Sequence, residues 1–167
     1  MSAVRDAVAI TGLGVVCALG RGAPALREAL FAGRDGIVPL DRFDVSAFGR
    51  KGFAALVPDA PPRERWIAYA LEAAREAVTA LDLRRYDPRR VAVVMGTSLG
   101  REDDLGAASR AVAVEVHAQG PCLTVSTACT SSTNAVGLAR DLLLRGDADL
   151  VLAGGADEVT PALFAGF

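Results

Sequence analysis

An α/β domain built on a mainly parallel sheet is the fold this sequence predicts, and three observations carry that expectation. Two apolar runs of strand length, "VAVVMG" from Val91 and "ADLVLAGGA" from Ala148, are continuous rather than alternating, as in strands covered on both faces. Segments with helical spacing separate the apolar runs. The resulting strand–helix alternation belongs to layered folds in which helices cross over between parallel strands. A length of 167 residues suits one domain, and a 51% hydrophobic content suffices for a substantial core.

Taken in order, "AVAITGLGVV" from Ala7 reads as a first strand interrupted by Gly12 and Gly14. Pro24 then opens "PALREALFAG", a short helix whose apolar face is Leu26, Leu30 and Phe31 and whose stop is Gly33. The Gly-, Pro- and Asp-rich stretch 35–62 reads as loop with one short strand. "PRERWIAYALEAAREAVTAL" is the strongest helix, with Ile67, Ala70, Leu71, Ala74, Ala77, Val78 and Leu81 at helical spacing. After the strand "VAVVMG" comes a helix in "EDDLGAASRAVAVEVHA", with acidic residues expected in its first turn. "CLTVS" from Cys122 is the next strand, followed by a helix ending at Gly146 and the strand "ADLVLAGGA".

Composition narrows the functional classes. A net charge of −2 with scattered arginines leaves no electrostatic footprint for nucleic acid. No stretch reaches the roughly 18 uninterrupted apolar residues of a membrane span. The opening residues superficially resemble a signal peptide. Asp6 in the charged lead, three glycines in the apolar run and the bulky Val16 before Cys17 argue against it. A cytoplasmic location is therefore expected. Cys17, Cys122 and Cys129 form no CxxC pair, and the single His117 leaves no set of metal ligands. No metal site is expected.

Two glycine motifs suggest phosphate loops and fail. In "TGLGVVCALG" the third glycine of a dinucleotide fingerprint would fall on Cys17. "GRGAPALREAL" lacks the Lys-Ser/Thr pair of a P-loop. The segment "VSTACTSS" is different. It sets Cys129 among small hydroxylic residues where a strand gives way to a helix. Reactive groups in open α/β sheets sit at the carboxyl ends of strands. The field at a helix N-terminus favours thiolate over thiol, and its free N–H groups can hold an oxyanion. The residues alone leave nucleophile and core thiol about level.

The chain resembles the amino-terminal part of the β-ketoacyl-acyl carrier protein synthases, condensing enzymes with the thiolase-like layered fold. The resemblance rests on "VAITGLGVVCALG", "FAGRDGI", "VAVVMGTS", the terminal "GF" and, most specifically, "GPCLTVSTACTSSTNAVGLARDLLLRGDADLVLAGGADE". It implies that 1–167 form an incomplete synthase domain acting in fatty-acid or polyketide synthesis. It further implies that Cys129 is the catalytic nucleophile, with its backbone N–H as half of an oxyanion hole. No cofactor is bound in this reading; the acyl group arrives on the phosphopantetheine of an acyl carrier protein. Thr130 to Ser132 would begin a buried helix behind the cysteine. Cys17 and Cys122 match no reactive position and are expected in the core.

The resemblance also has breaks. Two histidines and a lysine assist condensation in the family, all in the carboxyl-terminal half, and this sequence stops at Phe167. His117 precedes the strand that Cys129 follows. Five strand residues at about 3.3 Å each separate them, far beyond the reach of a general base. His117 is expected at a helix end or on the surface. The segment between "GTSLG" and "CLTVS" is short for the family, which bears on dimer packing and acyl selection. The expected partners are an acyl carrier protein and either a second copy or a complementary synthase chain. The alternatives are a non-catalytic remnant or partner subunit and a thiolase-type acyltransferase using coenzyme A, whose cysteine context differs.

Overall fold

The computed structural model describes residues 7–49, 52–99 and 104–166. Its centre is a three-stranded parallel sheet of β5 (Val91–Gly96), β6 (Cys122–Val125) and β7 (Leu150–Gly155), in the order β6-β5-β7. Val93 to Gly96 pair with Cys122 to Val125 on one side, and Val91 to Gly96 pair with Leu150 to Gly155 on the other. Parallel strands need crossovers, which α3 (Ala107–Glu115) and α4 (Ser131–Arg145) supply. The expected α/β architecture is present.

β5 is buried along its whole length, as its continuous apolar run requires. Its side chains alternate between two cores. Val91, Val93 and Met95 face α2 (Arg65–Val78) and α3, packing with Trp66, Ala70, Ala74, Val112 and Val116. Ala92 and Val94 face α4, where they meet Ala135 and Leu142. The sheet is thus a middle layer between helices. β7 is only half-buried, contrary to its apolar sequence, because it lies at the sheet's second edge with no strand beyond it among the described residues.

The first expected strand is mostly absent. Only β1 (Val16–Cys17) forms, in a small hairpin with β2 (Gly20–Arg21), and residues 7–15 run unpaired. These residues lie on a helix rather than beside a strand. A Cβ at Gly12 would sit 1.9 Å from the Ala77 carbonyl oxygen, and one at Gly14 1.8 Å from that of Ala73. Ala73 and Ala77 are one turn apart on α2, so the two glycines seat the segment against two successive carbonyls. Close packing on α2 accounts for the two glycines of the G-x-G.

Glu76 of α2 completes this junction. Its carboxylate accepts from Val15 N at 2.8 Å and from Ala23 N at 2.8 Å. Ala23 begins α1 (Ala23–Phe31), whose N-cap Gly22 offers no side-chain oxygen. A distant carboxylate therefore caps α1. The buried residue of α1 is Ala29, whereas Leu30 and Phe31 are exposed, so the expected Leu26–Leu30–Phe31 face is corrected. Gly33 stops that helix and Gly146 stops α4, both in the left-handed conformation.

The loop-rich stretch holds two short strands instead of one, β3 (Ile37–Pro39) and β4 (Phe53–Ala55), paired antiparallel. Phe43 and Phe48 make edge contacts with Phe164 of α5 (Pro161–Gly166), which ties this region to the last helix. α3 begins at Ala107; Glu102 and Asp103, expected in its first turn, lie outside the described residues. Phe167 of the terminal "GF" also lies outside them. No described helix is long and apolar enough to cross a membrane.

Candidate active site

Three turns meet at the carboxyl ends of the parallel strands: 97–98 after β5, 126–130 after β6 and 156–158 after β7. Cys129 stands in the middle one, exposed, two residues before α4 begins at Ser131. Ala128 before it has φ of 54°, in the left-handed region that a residue with a Cβ adopts at a cost of about 1–3 kcal/mol. Such a turn is sharp enough to present the next side chain at the tip. It persists only because the surrounding contacts fix it.

Ser131 supplies the main contacts. It is buried, its Oγ accepts from Thr127 N at 2.9 Å, and its single proton faces Ala128 O at 2.6 Å and Thr97 O at 3.0 Å. One hydroxyl thus binds both residues before the cysteine and the turn after β5. A second network lies outside it. Thr130 Oγ1 donates to Thr127 O at 2.8 Å, and Asn134 Nδ2 donates to Thr127 Oγ1 at 2.8 Å. The cysteine's neighbours are held from α4 on both sides.

Two glycines let α4 come this close. A Cβ on Gly96 would lie 2.4 Å from the Ser131 carbonyl carbon, and one on Gly155 would lie 2.0 Å from Ser132 Oγ. They end β5 and β7, so the first turn of α4 rests on the sheet's carboxyl edge. Ser131, Gly96 and Gly155 are not among the site residues expected from the sequence. The available signal was a glycine closing each of two apolar runs, "VAVVMG" and "LVLAGG", on either side of the cysteine segment.

The other thiols stand elsewhere. Cys17 is half-buried in the β1–β2 hairpin, and Cys122 is exposed at the start of edge strand β6, so neither is the core thiol expected. A strand end at a sheet edge has no layer to cover it. Cys122 shares a shallow surface hollow with His117 and Arg110. The Asp104 carboxylate accepts from Arg110 and holds its guanidinium pKa above the usual value. His117 is exposed just past the end of α3, at the opposite end of β6 from Cys129, as the strand length requires. The helix behind Cys129 is not enclosed: Ser131 is buried, but Ser132, Thr133, Asn134 and Val136 are exposed. Packing on one side by the sheet leaves the far face of α4 open.

A parallel sheet with a cysteine at such a strand–helix turn has a matching family. The family model for the Beta-ketoacyl synthase, N-terminal domain, matches residues 5–167. The chain belongs to the beta-ketoacyl synthase family. A 3-oxoacyl-[acyl-carrier-protein] synthase 2 of Coxiella burnetii is 30% identical over 96% of this chain and 48% of its own length. Among solved structures, the ishigamide ketosynthase/chain length factor is 30% identical with a TM-score of 0.83, over 93% of this chain and 48% of the other. A type II polyketide ketosynthase solved with its acyl-carrier protein is 22% identical with a TM-score of 0.83, over 94% and 47%, and shows the shared fold. The chain therefore spans about half the length of these ketosynthases. The alignment to the Coxiella enzyme runs over 199 positions although only 96% of the 167 residues here take part, so that relative carries internal residues without a counterpart.

Proposed function

We propose that this chain is the acyl-accepting part of a β-ketoacyl-acyl carrier protein synthase of fatty-acid or polyketide synthesis, and that Cys129 is its nucleophile. The observation that carries the reading is the exposed Cys129 on a strained turn between β6 and α4. In this reading the Cys129 thiolate attacks the carbonyl carbon of an acyl thioester. Negative charge develops on the carbonyl oxygen, where the Cys129 N–H and the first turn of α4 oppose it. The bond to the phosphopantetheine sulfur then breaks, the leaving thiolate takes up a proton, and the acyl group stays on Cys129. The acyl carrier protein is proposed as the donor; among the similar structures, one ketosynthase was solved with its acyl-carrier protein. A second synthase chain is a further proposed partner, since the ishigamide protein is a ketosynthase/chain length factor.

Residues 1–167 are proposed to acylate without condensing. The only histidine is His117, and it stands at the wrong end of β6 to assist at Cys129. Incubation with an acyl-carrier-protein thioester should add one acyl mass to the chain and none to Cys129→Ala. Addition of malonyl-carrier protein should release no β-ketoacyl product. Absence of the wild-type adduct would refute the nucleophile, and product formation would refute the restriction to the first half-reaction.

A further inference from the structure

A carboxylate with no part in the proposed acyl transfer joins two of the three turns at the sheet's carboxyl edge, those after β5 and β7. Asp157, in the turn after β7, is separated from its partners by 59 and 60 residues, so its contacts are tertiary rather than a local turn motif. Asp157 Oδ1 accepts from Thr97 Oγ1 at 2.7 Å and from Ser98 N at 3.1 Å. Asp157 Oδ2 accepts from Ser98 N at 3.0 Å and Ser98 Oγ at 3.0 Å. The same two residues face the cysteine turn with their carbonyls. Thr97 O receives the Ser131 hydroxyl at 3.0 Å, and Ser98 O receives the Ser126 hydroxyl at 3.4 Å.

Residues 97–98 therefore sit between a carboxylate on one side and the turn of Cys129 on the other. Ser131 passes the constraint on, because the same hydroxyl binds Thr127 N and Ala128 O immediately before the cysteine. We propose that Asp157 is a positioning residue for Cys129, acting through Thr97 and Ser98. The inference rests on Cys129 being the acyl acceptor. Its physical basis is that acyl transfer requires sulfur, carbonyl carbon and oxyanion donors in register, and misplacement by about 1 Å can cost ~100-fold. A small alkylating agent needs only the thiolate, from any direction. Loosening residues 97–98 therefore slows acylation and leaves alkylation unchanged.

Asp157→Asn replaces one acceptor oxygen by an amide that only donates; the Ser98 hydroxyl can turn to accept from it, but the Ser98 N–H, shared between both carboxylate oxygens, loses one of its acceptors and the carboxylate charge is gone. The experiment measures two rates at Cys129 for each protein: acylation by an acyl-carrier-protein thioester, and alkylation by iodoacetamide as a function of pH. Asp157→Asn is expected to slow acylation about tenfold or more while its alkylation rate and pH profile stay within about twofold of wild type. Asp157→Glu, which keeps both acceptor oxygens, should recover much of the loss. Equal acylation in Asp157→Asn and wild type overturns the proposal, and so does a parallel fall in both rates. If Asp157→Asn does not fold, Ser98→Ala decides, since it removes one contact to Asp157 and keeps the backbone N–H. Acylation by Ser98→Ala at the wild-type rate overturns the proposal, and a selective fall supports it. Failure of the wild type itself to acylate instead removes the assignment of Cys129.

Discussion

Ser131 shows how much of the site depends on a single hydroxyl. Removing it takes away the acceptor of the part-buried Thr127 N–H and frees the turn that holds Ala128 at positive φ. A lost hydrogen bond of this kind costs about 0.5–1.5 kcal/mol, so Ser131→Ala should lower the unfolding free energy by that amount in urea titration. It should also slow acylation of Cys129 more than Asn134→Ala, whose network is exposed. The placement of Cys129 at a strand–helix boundary was legible in the sequence, because small hydroxylic neighbours between an apolar run and a helical pattern are a local signal. Ser131 was not, since its partners Thr97 and Thr127 come together only when β5 and β6 pair. The same limit explains Cys122: an apolar strand reads as buried, but its place at the sheet edge follows from the strand order.

Helix α2 is the organising element on the other side of the sheet. It carries the buried Trp66, Ala70 and Ala74, receives residues 7–15 on its Ala73 and Ala77 carbonyls, and caps α1 through Glu76. Glu76→Ala removes the acceptor for two backbone N–H groups and should destabilise the chain by about 1.5–3 kcal/mol in urea or thermal unfolding. Gly14→Ala places a methyl group inside contact distance of the Ala73 carbonyl and should cost ~1–3 kcal/mol by the same measurement. The helix was readable from its spacing, and β5 from its unbroken apolar run. The segment 7–15 was misread because a β-branched run reports extended backbone without reporting what it lies against. Leu30 and Phe31 of α1 misled for a related reason. Apolar spacing marks a face, but Glu76 and the hairpin fix which side of α1 turns inward, and that side is Ala29.

Across the whole molecule, exposed ion pairs join elements distant in sequence. Arg90, just before β5, bridges Asp149 before β7, and Arg75 of α2 bridges Glu115 of α3. Hydrogen bonding from Arg90 holds the Asp149 carboxyl below the usual carboxylate range, and Arg75 does the same for Glu115. A carboxyl depressed in the folded state contributes stability that is complete above its unfolded pKa and is lost as pH falls through its folded pKa. Stability in urea should therefore fall as the medium is acidified below the ordinary carboxylate range, and added salt should shrink this small effect. The layered α/β fold was legible from the alternation of strands and helices. The open face of α4 was not, because a helix behind a nucleophile reads as enclosed while only one of its sides meets the sheet. Whether Cys129 carries the thioester is decided by peptide mapping after exposure to a labelled acyl-carrier-protein thioester. Label is expected on the Cys129 peptide alone, released by neutral hydroxylamine as a thioester should be. Label on Cys122 or Cys17 with none on Cys129 would contradict it.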